Sequence, residues 1–208
     1  MSQVQLYTNP MSRGQIAHWM LEEIAQPYNT HWIEWGKNGN RSPTFLEINP
    51  MGKLPTIVHN GKVVTEAAAI CLYLADVFPK ANLMPTPSER ADYYRWTLFA
   101  AGPLEHAVTN KAIGFVAPKE KEGMLGYGTF ERTLETLSNH LKSNEFVCGK
   151  RFTAADVYVG SAVIWGLLFK SIPENLSLMS YRDRLTSRQA HRKITEINNA
   201  KNNLFPGN

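Results

Sequence analysis

Asn49-Pro50-Met51-Gly52-Lys53-Leu54-Pro55 runs directly into Thr56-Ile57-Val58-His59, Asn60-Gly61, Lys62-Val63-Val64-Thr65 and Glu66-Ala67. Two β-favouring runs split by Asn-Gly spell a hairpin, because both residues tolerate the positive φ of a two-residue turn. Glu66 to Phe78 is rich in alanine and leucine and reads as a helix, which Pro79 stops. Pro55 stands where a strand opens, a place at which a missing N–H is tolerated. Two readings of it stay open from this segment alone: an ordinary loop-to-strand proline, or a cis Leu54–Pro55 bond that turns the Leu54 backbone outward for a peptide-like ligand.

Upstream, Val4 to Tyr7 is a short strand interrupted by Asn9-Pro10. From Ser12 the spacing turns helical, with Ile16, Met20 and Ile24 on one face and Ser12 as the expected N-cap. Glu22 and Glu23 fall late in this helix, where the dipole disfavours them, and read as solvated. Tyr28 to Trp35 reads as a second strand, and Ser42-Pro43 as a short helix start. The order is βαβ, a helical turn, then ββα. A strand, crossover helix and strand should form a right-handed parallel unit, to which the hairpin adds antiparallel strands.

Downstream, residues 79–87 carry three prolines and no periodicity, and make the expected linker. Strand signals then vanish. Helices are expected from Ser88 through Leu104, over about Thr129 to Lys142, and over the apolar run 153–170. Shorter helices and a loose tail ending Phe205-Pro206-Gly207-Asn208 complete the chain. The expected fold is an α/β thioredoxin-like N-terminal domain at 1–80 plus an all-α C-terminal domain at 88–208.

The composition narrows the function classes. Of 208 residues, 43% are hydrophobic and 19% charged, which fits a packed core. No apolar run approaches the roughly 18 residues of a membrane span, and no secretory signal pattern opens the chain, so a cytoplasmic protein is expected. Cys71 and Cys148 form no CxxC pair and read as reduced core thiols. Six histidines without HExxH or HxH spacing argue against a metal. The net charge of +4 is concentrated in Arg182, Arg184, Arg188, Arg192, Lys193 and Lys201. Without a nucleic-acid-binding signature, these residues read as a solvated helical surface.

Two further segments can carry chemistry. Thr65-Glu66-Ala67 opens a helix, whose unpaired N–H groups and dipole would stabilise a ligand carboxylate. Glu66 could instead accept from a ligand ammonium, or simply complement the dipole. Pro10-Met11-Ser12-Arg13-Gly14 joins a strand to a helix N-terminus. A hydroxyl there can donate to a thiolate, and such surroundings lower thiol pKa values. Ser12 as a plain N-cap is the competing reading.

These three segments, in this order and spacing, resemble the glutathione-binding site of the cytosolic glutathione transferases, whose pattern is N-P-x-G-x-[VL]-P, a β-hairpin, then E-S at a helix start. Here it stands as NPMGKLP, the hairpin, then TEAAAICLYLAD. Phe152-Thr153-Ala154-Ala155-Asp156 likewise resembles the family's F-[ST]-x-A-D signature, with Thr153 and Asp156 as a capping box. The chain is thus identified as resembling a bacterial serine-type member. The resemblance implies that Ser12 stabilises the glutathione thiolate and that the Leu54 backbone pairs with the cysteinyl part beside a cis Pro55. Lys53 and Arg41 would serve the glycine carboxylate, and Glu66 the γ-glutamyl amine. Ala67 replaces the usual serine, which removes a hydroxyl and keeps an N–H.

Tyr7 ends the first strand, roughly where tyrosine-type members carry their hydroxyl, and stands as the alternative to Ser12. Gln189 replaces a proline of the family and is expected to start the final helix.

The implied activity is attack of activated glutathione, as co-substrate and without metal, on a small hydrophobic electrophile. Met11, Phe115 and Trp165 are candidate walls for the electrophile between the domains, each also readable as core. A detoxifying homodimer without membrane or nucleic-acid partners is implied. Two alternatives remain open at this point: glutathione-dependent disulfide or peroxide reduction on the same site, and a non-catalytic interaction module of the same fold.

Overall fold

The computed structural model describes residues 3–202, so the tail at 205–208 lies outside the described residues. The chain divides into two compact units. One joins the residues up to Leu83 with those from Ser187, and the other is Met84–Thr186.

In the first unit, β1 (Val4–Thr8), α1 (Gly14–Ile24), β2 (Tyr28–Trp32), α2 (Pro43–Ile48), β3 (Thr56–His59), β4 (Lys62–Thr65) and α3 (Ala67–Val77) follow in order. The sheet order is β2-β1-β3-β4. β1 and β2 are parallel, while β3 is antiparallel to both β1 and β4. Val4, Leu6 and Thr8 are buried and alternate with half-buried Gln5 and Tyr7, the period of two that a strand imposes. Leu6, Ile57, Met20, Ile70 and Leu74 are fully buried in the core. The Asn60-Gly61 turn has φ of 51° and 72°, both positive as the two-residue hairpin requires. Ser42 caps α2, its side chain accepting from the Phe45 N–H at 3.2 Å, with Pro43 in the first turn.

Several expectations are corrected. β2 stops at Trp32 rather than Trp35, because the chain turns at residues 33–41, where Gly36 takes φ 89°. The residue capping α1 is Arg13, not Ser12, although the Ser12 hydroxyl still accepts from a first-turn amide, Gly14 N–H, at 2.9 Å. The final helix, α9 (Gln189–Asn202), begins at Gln189 as expected and packs on α1 in the first unit.

The reason is ionic. Glu22 and Glu23 are not solvated: their side chains are 10% and 7% exposed and pair with Lys193 at 2.6 Å and Arg188 at 2.7 Å. Lys193 of α9 and Arg188 just before it thus offset the unfavourable position of these carboxylates at the C-terminal end of α1. The same pairs account for part of the basic late segment, and Arg182 is paired with Asp183.

The second unit is helical. It holds α4 (Arg90–Phe99), α5 (Glu105–Ala112), α6 (Phe130–Ser143), α7 (Ala154–Leu168) and α8 (Leu176–Thr186). The single helix expected through Leu104 is broken by a π-helical turn at Ala100–Leu104 that contains Pro103. Proline supplies no N–H and crowds the carbonyl four residues back, so the register widens. α7 is buried on most sides, and Thr153 and Asp156 form the expected capping box at its start. Among the described residues, no helix is long and apolar enough to cross a membrane.

Candidate functional site

One rung of the sheet gathers the three segments. Tyr7 of β1 faces Thr56 of β3, and Thr56 faces Thr65 of β4. Residues 10–14 leave β1 just beyond that rung, residues 53–55 enter β3 just before it, and Glu66-Ala67 leave β4 just after it. Neighbouring strands lie about 4.8 Å apart, so all three segments share one edge of the sheet within about 10 Å.

The Leu54–Pro55 bond is cis. Leu54 is 8% exposed and precedes the ladder, which begins at Thr56, so its backbone takes no part in that pairing. Lys53 and Arg41 are both exposed, and Arg41 Nη1 donates to the Met51 carbonyl at 3.3 Å. Glu66 stands before α3 with φ 63° and ψ 115°, and its side chain makes no capping bond. A non-glycine residue held at positive φ is strained, and such strain concentrates at ligand-binding positions. Ala67 is buried in the first turn of α3.

Ser12 is half-buried, and its hydroxyl is committed on both sides. It donates to the Asn9 carbonyl at 2.8 Å and accepts the Gly14 N–H at 2.9 Å. Tyr7 is used otherwise. Its ring stacks on His31 at 4.6 Å and tilts against Phe45 of α2 at 5.9 Å. By strand alternation it faces away from the buried Leu6 and Thr8 side that packs under α1.

Sequence reasoning missed two asparagines that build the turns. Asn9 and Asn49 are both buried, and each opens an Asn-Pro-Met segment. Asn9 Oδ1 accepts from Met11 N–H at 2.8 Å, and Asn49 Oδ1 accepts from Met51 N–H at 3.1 Å. Asn9 Nδ2 donates to the Ile33 carbonyl at 2.8 Å, and Asn49 Nδ2 to the Lys53 carbonyl at 2.9 Å. An asparagine that mimics a backbone turn holds both loops in the same way. The repeated Asn-Pro-Met was the available signal.

Met11 is 62% and Phe115 47% exposed, so neither is core, and Trp165 is half-buried. Met11 belongs to the first unit, Phe115 and Trp165 to the second. Cys71 and Cys148 are free and buried, and burial pushes both thiols up, Cys148 to about 12. Neither is available as a thiolate nucleophile. Among the described residues, no group of three histidine, cysteine or acidic side chains could hold a metal ion.

The N-terminal domain family of glutathione S-transferases matches residues 11–77, and the C-terminal domain family matches residues 105–165. Glutathione S-transferase 1 of Schizosaccharomyces pombe is 28% identical over 147 residues, 66% of this chain and 64% of that protein. Glutathione S-transferase A of Pleuronectes platessa is 29% identical over 180 residues, 80% and 79% of the two chains. A theta class glutathione S-transferase from Xanthomonas axonopodis pv. citri, solved with glutathione bound, superposes with a TM-score of 0.74 at 24% identity, covering 93% of this chain and 97% of that one.

Proposed function

Since the chain belongs to the cytosolic glutathione transferase superfamily and is a glutathione transferase, we propose that glutathione binds along the edge marked by Tyr7, Thr56 and Thr65, as a serine-type member would bind it. The observation that carries this reading is the shared rung. Its register supports the reading, because the serine turn before α1, the Leu54 segment ahead of β3 and the first turn of α3 all follow or precede that rung at one end of the sheet, about 10 Å across.

The chemistry of each part fits a part of glutathione. The Leu54 backbone, turned out beside cis Pro55, pairs with the cysteinyl unit. The first turn of α3 receives the γ-glutamyl carboxylate through its amides, including that of Ala67. Glu66 accepts from the γ-glutamyl ammonium, and Lys53 and Arg41 attract the glycine carboxylate. Ser12 then donates to the thiolate, and the positive end of α1 adds to the effect. The thiolate attacks an apolar electrophile held beside exposed Met11. The thiolate comes from glutathione, so the reaction needs no thiol of the protein, in keeping with the burial of Cys71 and Cys148.

Calorimetric titration with glutathione, followed by steady-state assays with an aryl halide and with a small disulfide, tests the reading. Micromolar-to-millimolar binding with aryl-halide turnover supports conjugation. Turnover of the disulfide alone would move the reaction to reduction on the same site, and absence of binding would leave a fold without its ligand. A cytoplasmic homodimer is part of the proposal, and sedimentation at micromolar concentration showing only a 23.5 kDa species would remove the dimer from it.

A further inference from the structure

Beneath the serine turn lies a hydroxyl with no partner. Thr8 is fully buried, and its Oγ1 makes no hydrogen bond among the described residues. A buried polar group left unpaired is costly, and in native structures such groups call for an explanation. Gly14 shows where this one lies. A Cβ at Gly14 would sit 2.0 Å from Thr8 Oγ1 and 2.8 Å from Ser12 Oγ. Both hydroxyl oxygens therefore lie against the Gly14 backbone, Thr8 Oγ1 so closely that no side chain fits at that position.

The state of Ser12 gives Thr8 its role. A hydroxyl has one proton and two lone pairs. In this structure the Ser12 proton goes to the Asn9 carbonyl, and one lone pair takes the Gly14 N–H. To serve a thiolate, Ser12 must turn its proton off that carbonyl. We propose that Thr8 is a positioning residue for this step: its hydroxyl donates to Ser12 Oγ once the Ser12 side chain turns from the Asn9 carbonyl toward the bound sulfur. The inference rests on the reading of Ser12 as the thiolate-stabilising hydroxyl.

Two consequences favour the turned state. Thr8 gains the partner it lacks at rest, which offsets the bond Ser12 gives up to Asn9. Ser12 Oγ, accepting from both Gly14 N–H and Thr8 O–H, is polarised into a stronger donor. The threonine backbone is fixed throughout, since Thr8 is in register with Trp32 and its carbonyl accepts the Ile33 N–H at 2.8 Å. At rest the two oxygens do not meet hydrogen-bond geometry, so forming the bond takes a rotation of the Thr8 or Ser12 side chain and no change in the backbone.

The test reads the pKa of enzyme-bound glutathione from thiolate absorbance against pH, in wild type, Thr8→Val, Thr8→Ser, Ser12→Ala and the Ser12→Ala/Thr8→Val double variant. Thr8→Val keeps the side-chain shape and removes the orphaned hydroxyl, so it should melt no lower than wild type, and melting curves check this. The bound thiol pKa should rise by about 0.5–1 unit in Thr8→Val, a three- to tenfold loss of thiolate at a pH below it. Thr8→Ser should restore the wild-type value, and the double variant should match Ser12→Ala alone. If Ser12→Ala raises the pKa and Thr8→Val does not, the threonine assignment is wrong while the serine reading stands. If the two substitutions add, Thr8 acts independently of Ser12 and the proposal is overturned. If Ser12→Ala leaves the pKa unchanged, the serine reading falls and takes this proposal with it.

Discussion

Arg188 and Glu23, 165 positions apart in the chain, are joined by two hydrogen bonds of 2.7 Å, Nε to Oε1 and Nη2 to Oε2. The Glu23 carboxylate also accepts from Trp19 Nε1 at 2.9 Å. This pair fastens α9 to the helix whose other end carries the Ser12 turn. α9 needs the fastening, because among its described residues only Ile194 and Asn198 are buried. Removing Arg188 leaves a carboxylate that is 7% exposed without its counter-charge. Arg188→Ala is therefore expected to destabilise the fold by about 2–4 kcal/mol, somewhat below a fully buried pair because the arginine reaches solvent. Urea unfolding measures it, and a loss below about 0.5 kcal/mol would show that the pair is ornamental.

Asp156 is a fully buried carboxylate of the second unit. It accepts from Val147 N–H, Thr153 N–H and Tyr181 O–H, each at 2.8 Å, and from Thr153 Oγ1 at 3.1 Å. Asp156→Ala would strand three of these donors in the core. The expected loss is about 3–5 kcal/mol, with Tyr181→Phe costing about 1–2 kcal/mol. Equilibrium unfolding of both variants gives the comparison, and a larger loss in Tyr181→Phe than in Asp156→Ala would contradict it.

The pH dependence of stability should carry a histidine signature. Burial lowers His18 to about 4, against an ordinary 6.5, with Glu22 opposing and Lys193 assisting the fall. Its Nε2 lies 2.7 Å from the Tyr28 hydroxyl, which in turn donates to Glu22. The unfolded chain protonates this histidine first as pH drops. The stabilisation is therefore complete above about 6.5 and is lost on the way down to about 4. Burial raises Asp156 to about 6, which works with the opposite sign between about 4 and 6. The difference between wild type and His18→Gln isolates the histidine: the variant's stability should fall less between pH 7 and 4.5. Parallel curves would refute the assignment.

Glu66 offers a trade between stability and binding. At φ 63° and ψ 115° its backbone is held where only glycine is comfortable. Its exposed side chain makes no capping bond, so replacing it removes little local support. Glu66→Gly should exceed Glu66→Ala in stability by about 1 kcal/mol, or roughly 2–4 °C in Tm, while both weaken glutathione binding. Equal melting temperatures for the two variants would argue that the backbone is relaxed.

The strand, hairpin and helix order could be read from the chain because each element carries its own local signal. Asn60-Gly61 dictates a turn, Ser42-Pro43 a helix start, and Thr153 with Asp156 a cap. The position of α9 could not be read that way. Its sequence is polar, and its partners Glu22 and Glu23 read as solvated because nothing local announces charge partners 165 or more positions away. The segment around Leu54–Pro55 leaves the bond open between cis and trans on its own, and only the wider pattern makes the cis form readable. The Ser12 segment showed where a hydroxyl would stand. Its commitment to Asn9 and Gly14, and the orphaned Thr8 beside it, depend on three-dimensional crowding around a glycine that no spacing rule reveals.

Ser12 and Tyr7 can be separated by where their hydroxyls stand. Ser12 lies at the mouth of α1, bonded to Gly14 N–H, where the dipole and a first-turn amide both favour an anion. Tyr7 stacks on His31 and packs near Phe45, with its ring on the other face of the sheet. Ser12→Ala removes the hydroxyl donor and leaves the dipole. The bound thiol pKa is expected to rise by about one to two units, equivalent to about 1.4–2.7 kcal/mol. At neutral pH, conjugation should slow about ten- to hundredfold, while glutathione affinity changes much less because the other anchors persist. The substitution also cuts the bonds to Asn9 and Gly14, so some loss of stability should accompany it. Ser12→Cys or Ser12→Thr, which retain a donor, should recover part of the ionisation. Tyr7→Phe keeps the ring packing and should shift the thiol pKa by less than about 0.3 units, a change small beside that of losing a charge-assisted hydrogen bond. Turnover abolished by Tyr7→Phe and spared by Ser12→Ala would transfer the role to the tyrosine, and would require the ring to leave its stack on His31 when glutathione binds.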